Sequence, residues 1–382
     1  MPPADTDSAL YLDKPAAVDR FLDEISEVKE IALDTEGASF HRFLDRIYLL
    51  QISTRDRSAI IDPLPIGSPP KLGELLQSKA VEVVFHDADY DLRLLHQDYG
   101  WHVTNIFDTR IASQLLGIKS FGLAALLEQY FDVKLDKKHQ RADWSMRPLS
   151  ADMLEYAAQD TRFLLQLKDH MTGELDRRGR LHWAREEFVR LEGTRWEAEE
   201  SMEGFLRLKG ARDLSRRELA VLREVANWRD TVAAQLDRAT FRVMGNEVLF
   251  ELARTTPRSV SELAAIRGMP KGMLERAGSD IVAAVRRGSE VPEAELPKFP
   301  KGQRWNKDRD FDDRVARLKS VRDAAAARLE LDPGVLCSRE RLENIARSGA
   351  KNVEELAAVP DLRRWQIEEM GAGFLAALSK AD

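Results

Sequence analysis

The chain has 382 residues, of which 43% are hydrophobic and 32% are charged, and its net charge is −7. This length predicts two or three domains, and the apolar content excludes wholesale disorder. No apolar run approaches the length needed to cross a bilayer, the first residues lack a secretory signal pattern, and Cys337 is the only cysteine. We therefore expect a cytoplasmic protein that makes no membrane contact.

Short apolar runs alternate with amphipathic stretches in the first hundred residues. Strands are predicted at 9–12, 30–33, 47–53, 59–62 and 81–85, and helices at 16–28, 72–77 and 89–99. Helical patterns dominate from residue 108 onward, with an interruption near Gly179 inside the helical stretch 151–196. A group of strands followed by strand–helix alternation predicts an α/β or α+β domain with a mixed sheet.

The C-terminal part contains an internal repeat of helical character. Segment 229–284 aligns without a gap onto 322–377, with 18 identities in 56 positions. The four residues Glu262–Ala265, for example, align with Glu355–Ala358. Such a repeat indicates two copies of one small helical domain.

Charge and composition divide the chain further. A proline-containing segment at 289–310 predicts a linker, so we expect a first domain with a helical extension at 1–205 and bundles at 211–288 and 311–382. Residues 1–210 carry 27 basic and 37 acidic side chains, a balance of −10, whereas residues 211–382 carry 31 and 28, a balance of +3. The acidic first part suits a carboxylate metal site, although solubility alone also accounts for it.

Two carboxylates end the second predicted strand. Asp34 and Glu36 follow the apolar run 31–33 and are separated by Thr35. Residues i and i+2 of a strand face the same side, so the two carboxylates repel each other unless a cation lies between them. Oxygen ligands of this kind suit Mg²⁺ or Mn²⁺, and a solvated strand end is the alternative interpretation.

Two other parts of the sequence also contain carboxylates that are candidate metal ligands. Asp87, Asp89 and Asp91 follow the buried strand 81–85, at the end of the strand where open α/β sheets place their ligands. Tyr156 and Asp160 are spaced i, i+4, which puts the phenol and the carboxylate on one helix face. The alternative for this pair is a packed tyrosine beside an exposed aspartate.

Taken in this order, the motifs resemble the DEDD family of 3′–5′ exonucleases in its tyrosine-bearing branch, and within that branch the ribonuclease D family. The sequences LLQIS at 49–53, FDTRIASQLL at 107–116 and DWSMRPL at 143–149 carry the closer likeness, and the C-terminal repeat resembles the HRDC domain. The resemblance implies an α/β fold: a ribonuclease-H-like 3′–5′ exonuclease domain followed by two small all-α HRDC helical bundles.

The resemblance also implies a catalytic set. It comprises four ligands of two Mg²⁺ or Mn²⁺ ions and one tyrosine: Asp34, Glu36, Asp91, Asp160 and Tyr156. Asp91 is preferred to Asp87 and Asp89 because it directly precedes a Leu-x-x-Leu helix. Two such ions can drive phosphodiester hydrolysis, and Tyr156 is expected to orient the attacking water because a phenol is a poor base at neutral pH.

The implied activity is 3′–5′ exoribonuclease trimming of precursor tRNA and other structured RNAs, with release of nucleoside 5′-monophosphates. RNA is the expected partner, and no obligate protein partner is evident. The carboxylates do not distinguish RNA from DNA, so a DNA-directed exonuclease of the same branch is one alternative. An inactive nucleic-acid-binding scaffold is another.

Several residues are candidates for holding the substrate. Lys137, Arg141 and Arg147 are expected to contact phosphates because their basic segment directly precedes the helix of Tyr156. Trp144 either stacks on a base or packs in the core, and Gln51 either contacts the terminal nucleotide or makes a structural hydrogen bond.

The two repeats differ in charge. Residues 211–290 carry 14 basic and 11 acidic side chains, a balance of +3, whereas residues 311–382 carry 12 and 13, a balance of −1. The first repeat is therefore the better candidate for RNA contact. Its candidate contacts are Arg212, Arg216, Arg217, Arg238 and Arg242.

Overall fold

The computed structural model describes residues 9–136, 138–197, 201–300 and 310–379. In these residues, six strands form one sheet in the order β1-β4-β3-β2-β5-β6. The strands are β1 (Leu10–Leu12), β2 (Glu30–Glu36), β3 (Leu49–Ser53), β4 (Ser58–Ile61), β5 (Glu82–Phe85) and β6 (Ile106–Asp108). β2, β5 and β6 run parallel, β1 is parallel to β4, and β3 is antiparallel to both β2 and β4. The sheet is mixed, as the sequence predicts.

The sheet is covered by helices on both faces. They are α1 (Pro15–Glu24), α2 (Pro63–Ile66), α3 (Pro70–Leu76), α4 (Asp89–Tyr99), α5 (Thr109–Leu115), α6 (Leu123–Phe131), α7 (Ala151–Arg162), α8 (Leu164–Arg177) and α9 (Leu181–Leu191). The predicted bounds of α4 are confirmed, whereas α1 ends at Glu24 and is shorter than predicted. Strand β6 was missed, because three residues are too few to show a period.

Helix α7 lies close against the strands that carry the first two carboxylates. The Ser150 hydroxyl caps its first turn by accepting a hydrogen bond from the backbone N–H of Met153. The sheet-facing residues Ala157 and Ala158 are buried and small, so the helix axis can approach β2, β3 and β4. One turn later, the hydroxyls of Thr161 and Ser53 are 2.7 Å apart. This contact fixes the position of Asp160 along the sheet.

Ten helices after residue 215 form the two repeats. The first bundle is α10 (Arg216–Gln235), α11 (Thr240–Val243), α12 (Asn246–Thr255), α13 (Val260–Ala264) and α14 (Lys271–Ser289). The second bundle is α15 (Phe311–Leu329), α16 (Pro333–Leu336), α17 (Arg339–Ser348), α18 (Val353–Ala357) and α19 (Arg364–Ser379). Helices α11 to α14 begin 93 residues before α16 to α19, which confirms the predicted repeat and its register. The limits chosen for the domains and linker stay a prediction.

The second bundle shares a hydrophobic core with helices α5, α8 and α9. At this interface the rings of Trp183 and Trp365 stack with their centroids 4.8 Å apart. Arg180 links the two parts by donating hydrogen bonds to the carbonyls of Leu115 and Leu329, at 2.8 and 2.6 Å. The second bundle is therefore packed against the helices of the sheet-containing domain as part of one core.

The first bundle contacts the sheet-containing domain through the loop between β2 and β3, residues 37–48. The backbone N–H of Ala239 donates to the carbonyl of His41 at 3.1 Å, and Arg42 forms an ion pair with Asp237 at 3.3 Å. The Arg242 guanidinium donates to the Phe40 carbonyl. These contacts are polar and partly exposed, unlike the shared core of the second bundle.

Among the described helices, none combines the length and the apolar composition that a membrane span requires.

Candidate active site

Three carboxylates converge at the C-terminal end of β2. Asp34 and Glu36 lie on the last part of this strand, past the residues that pair with β5, and Asp160 comes from α7. One carboxylate oxygen from each of the three lies within 4.8 Å of the others. The structure thus brings together three side chains that are up to 126 positions apart in the sequence.

Asp91 lies beside this cluster on the first turn of α4. Its Oδ1 accepts hydrogen bonds from the backbone N–H and the hydroxyl of Thr35, at 3.0 and 2.6 Å. Asp91 is buried, whereas Asp89 is exposed and forms an ion pair with Arg93. Asp87 also lines the cleft but pairs with Arg110, so of the three aspartates after β5 only Asp91 is both buried and held against β2.

The four carboxylates raise one another's pKa. For Asp34 the pKa is well above its ordinary value because of burial and then the charge of Asp160. Burial followed by the charge of Asp34 has the same effect on Glu36 and on Asp91. Burial and the charge of Asp91 raise the pKa of Asp160 to about 7. Each carboxylate is therefore costly to ionise unless a cation is present.

This donor set fits a divalent metal ion. All four candidate ligands are carboxylates, which suit hard cations such as Mg²⁺ and Mn²⁺. No lysine, arginine or histidine in the described part of the chain forms an ion pair with any of the four. Their mutual repulsion is therefore not compensated by the protein's own cations.

Tyr156 faces the same cleft from α7, one turn before Asp160. Its ring lies 6.0 Å from the ring of Trp144 and 5.8 Å from that of His139. Burial and then the charges of Asp160, Glu36 and Asp34 raise the pKa of its hydroxyl. The phenol stays protonated at neutral pH, so it can donate a hydrogen bond but cannot act as a base.

The cleft around these residues has a volume of about 540 Å³. Its wall includes three residues that the sequence reasoning missed as site residues, Arg110, Phe121 and Gln140. The Arg110 guanidinium lies 5.2 Å from the centre of the Phe121 ring and pairs with Asp87. Arg110 lies on α5, whereas Phe121 and Gln140 precede α6 and α7, so no local pattern in the sequence indicates that the three residues meet.

Asp108 is another residue that the sequence did not indicate as part of the site. Its buried carboxylate accepts hydrogen bonds from the backbone N–H groups of Arg110 and Ile111, which caps α5. The same carboxylate accepts a third bond, at 2.7 Å, from the N–H of Ala88 just before α4. Asp108 thereby holds the segment that leads to Asp91. An aspartate directly before a helix was the available signal.

Two of the predicted substrate contacts, Gln51 and Trp144, are buried in the structure. Gln51 is completely buried opposite Asp34 in the β2–β3 pair, so it has no surface to offer a nucleotide. Trp144 is 1% exposed and packs with Leu49, Ile60 and Ala157. The core-packing alternative is therefore confirmed for Trp144.

The predicted basic contacts have different environments. Arg147 donates to both oxygens of the buried Asp62 and to the carbonyl of Tyr48, so its guanidinium is engaged within the protein, and a phosphate contact stays a prediction. Arg141 is exposed, and its guanidinium lies 5.2 Å from the centre of the Phe40 ring. Lys137 lies outside the described residues.

The fold and this site define a nuclease class. A family model described as a 3′–5′ exonuclease matches residues 11–176, and the HRDC domain model matches residues 218–285 and 311–378. The chain is thus an exonuclease domain followed by two HRDC domains, and the carboxylate cluster agrees with the metal dependence of this class.

Comparison with whole proteins narrows the class to one family. Ribonuclease D of Granulibacter bethesdensis is 30% identical over 349 residues, which cover 91% of this chain and 86% of that protein. The crystal structure of Escherichia coli RNase D superposes with a TM-score of 0.74 at 25% identity, covering 97% of this chain and 98% of that one. A homologue of exosome complex component 10 from Caenorhabditis elegans is 33% identical over 281 residues but is matched over only 31% of its length. The chain belongs to the ribonuclease D family and is a 3′–5′ exoribonuclease.

Proposed function

We propose that this exoribonuclease trims the 3′ ends of precursor tRNA and other structured RNAs and releases nucleoside 5′-monophosphates. The observation that carries the proposal is the convergence of Asp34, Glu36 and Asp160, with oxygens within 4.8 Å of one another. The printed description of the E. coli relative, an exoribonuclease involved in structured RNA processing, supports this substrate class. The cytoplasm is the compartment that fits such substrates.

The proposed ligands of two divalent ions, Mg²⁺ or Mn²⁺, are the four clustered carboxylates. Asp34, Glu36 and Asp160 present their free oxygens to the cleft, whereas Asp91 has one oxygen held by Thr35 and the other left for a ligand. When bound, such ions activate the attacking water and stabilise the leaving 3′ oxygen. The hydrogen bonds from Thr35 fix the Asp91 carboxylate in the orientation that this role requires.

Tyr156 has a separate proposed role. Its hydroxyl stays protonated beside Asp34, Glu36 and Asp160, so it donates a hydrogen bond to the attacking water and orients it. Trp144 packs at its ring and limits the directions in which the phenol can point. We assign Tyr156 to orientation of the water rather than to proton abstraction.

A cleavage assay tests the proposal. A 5′-labelled RNA with a tRNA-like stem and a 3′ tail, and a DNA of the same sequence, are incubated with Mg²⁺, Mn²⁺ or EDTA. We expect the labelled RNA to shorten stepwise from its 3′ end in either metal, and chromatography of the released nucleotides to identify them as nucleoside 5′-monophosphates. EDTA and Asp34→Asn should each abolish the ladder.

Other outcomes would redirect the assignment. Shortening of the DNA but not the RNA would favour the DNA-directed alternative. Two intact substrates in both metals would favour an inactive scaffold. A ladder made by Asp34→Asn at the wild-type rate would contradict the proposed site.

A further inference from the structure

Exposed aromatic side chains are concentrated where the first bundle meets the β2–β3 loop. Phe40 and Phe43 of the loop are 44% and 40% exposed, and Phe241 of α11 is 52% exposed. The rings of Phe40 and Phe241 meet edge to face with their centroids 6.5 Å apart. Burying any of these rings would be favourable, so their exposure requires an explanation.

Arginines surround these rings. The guanidinium groups of Arg141 and Arg242 lie 5.2 and 6.0 Å from the centres of the Phe40 and Phe241 rings. We call Phe40, Phe43, Phe241, Arg141 and Arg242 the stacking platform. Its members come from three segments that are distant in the sequence, and the fold brings them to one surface.

The charge around the platform favours an anionic partner. Asp237 is engaged by Arg42 and by the backbone N–H of Phe43, and Asp143 by His41 and Ser145. Four exposed arginines nearby form no ion pair with any acidic side chain in the described ranges: Arg46, Arg141, Arg238 and Arg242. This positive surface stands out in a protein whose net charge is −7.

Other arginines of the first bundle are less available. Arg216 and Arg217 donate to backbone carbonyls between Ser289 and Pro297. Arg212 lies 5.0 Å from the centre of the Phe299 ring. Of the five arginines predicted to contact RNA, Arg242 therefore belongs to the platform and Arg238 adjoins it.

The platform is continuous with the catalytic cleft. Gln140 lines the cleft, and the next residue is Arg141. Phe40 is four residues after the proposed ligand Glu36, so their Cα atoms are at most about 14 Å apart. Asp45 holds the loop in place by accepting hydrogen bonds from the Ala38 N–H and the Tyr90 hydroxyl.

We propose that the stacking platform binds the unpaired RNA segment immediately 5′ of the nucleotide being removed. Bases of this segment stack on Phe43 and Phe241, and its phosphates lie against Arg141, Arg238 and Arg242. The proposal rests on the exoribonuclease function and adds a binding surface outside the metal site. It requires several unpaired nucleotides at the 3′ end, so a fully paired end binds more weakly.

Binding can be measured without cleavage in the Asp34→Asn background. The probe is an RNA stem with a single-stranded 3′ tail that carries 2-aminopurine, a base whose fluorescence is quenched by stacking, a few nucleotides from its end. Phe43→Leu keeps an apolar side chain but removes the ring, whereas Phe43→Trp keeps a ring. We expect Phe43→Leu to weaken tail binding about tenfold and to relieve the quenching. Phe43→Trp should keep both the wild-type affinity for the tail and the quenching.

Arg238→Gln gives a second, independent test. Loss of one phosphate contact should lower the slope of log affinity against log salt by about 0.7 for a single strand. Arg339→Gln in the second bundle is the control, because Arg339 is also an exposed arginine but lies outside the platform. The slope of log affinity against log salt for Arg339→Gln should equal that of the wild type.

The outcomes separate the platform from the proposed function. If the wild type makes no RNA ladder in Mg²⁺ or Mn²⁺, the proposed function fails. If the ladder forms but tail affinity, quenching and salt slope are unchanged in Phe43→Leu and Arg238→Gln, the platform proposal is overturned and the surface would suit a protein partner instead. Thermal melting of each variant establishes that a loss of binding is not a loss of folding.

Discussion

Two clusters of buried and half-buried charged groups are arranged in opposite ways. At the catalytic cleft, Asp34, Glu36, Asp91 and Asp160 face one another with no ion-paired cation among the described residues. Where α9 meets the start of α19, Glu186, Glu187 and Arg363 are each paired within the protein. The difference indicates that the paired cluster stabilises the fold, whereas the unpaired carboxylates serve catalysis.

The second cluster illustrates the stabilising arrangement. Glu187 accepts hydrogen bonds at 3.0 Å from the Arg363 guanidinium and from the indole of Trp365. Glu186 accepts bonds from the backbone N–H groups of Arg364 and Trp365, so a carboxylate of the catalytic domain caps a helix of the second bundle. These groups satisfy one another, whereas the catalytic carboxylates need a cation from outside the chain.

Breaking the paired cluster should have the largest effect on stability. Glu187→Ala leaves the Arg363 guanidinium, which is 5% exposed, without its main partner. We expect the free energy of unfolding to fall by about 3 kcal/mol, as measured by chemical denaturation. Glu368→Ala is the control, because Glu368 pairs with His182 on the exposed rim of the same interface, where a pair contributes less than about 1 kcal/mol. Equal losses in the two variants would contradict the assignment of Glu187 as a structural partner.

The carboxylate cluster should respond in the opposite direction when one charge is removed. Without metal ions, Asp34→Asn relieves repulsion and should raise the melting temperature at pH 8 by several degrees. The same substitution should remove the stabilisation that Mg²⁺ or Mn²⁺ gives the wild type. A lower melting temperature of the metal-free variant at pH 8 would show that Asp34 is a structural group.

The pH dependence of the metal-free protein follows from the same repulsion. Burial and Asp91 raise the pKa of Asp160 from 3.8 to about 7 in the folded state. A raised carboxyl pKa contributes stability below about pH 4, and that contribution is lost as the pH rises through about 7. Without metal ions, the melting temperature of Asp160→Asn should therefore rise relative to that of the wild type as the pH increases from 4 to 8. A constant difference in melting temperature between the two proteins across this pH range would contradict the raised pKa of Asp160.

Tyr156→Phe should have the smallest effect of these changes. It removes one hydrogen-bond donor and leaves the four carboxylates in place. We expect cleavage of the tailed RNA to slow about tenfold, with the metal-dependent rise in melting temperature unchanged. Wild-type kinetics would remove its proposed role, and loss of metal stabilisation would instead assign it to the ligand set.

The sequence was informative where one local pattern decided the structure. The apolar run before Asp34 predicted the strand, and the 93-residue register of the repeat predicted two bundles of the same helical order. The sequence was not informative where a charged side chain pairs with a residue from a distant segment. The pairing of Arg147 with Asp62 and of Glu187 with Arg363 joins positions 85 and 176 residues apart. Nothing in the basic segment around Arg147 indicates that its guanidinium pairs with the buried carboxylate of Asp62.

The central claim is that the buried carboxylates, rather than exposed ones nearby, form the catalytic metal site. Asp91 and Asp89 provide the most direct comparison, because they lie two residues apart on α4 and only Asp91 is buried. Cleavage of the tailed RNA and metal-dependent melting should be measured for Asp91→Asn and Asp89→Asn together. We predict that Asp91→Asn loses at least about a hundredfold in cleavage and most of the metal-dependent stabilisation, while Asp89→Asn stays within about twofold of the wild type. Near-normal cleavage by Asp91→Asn together with an inactive Asp89→Asn would contradict the account.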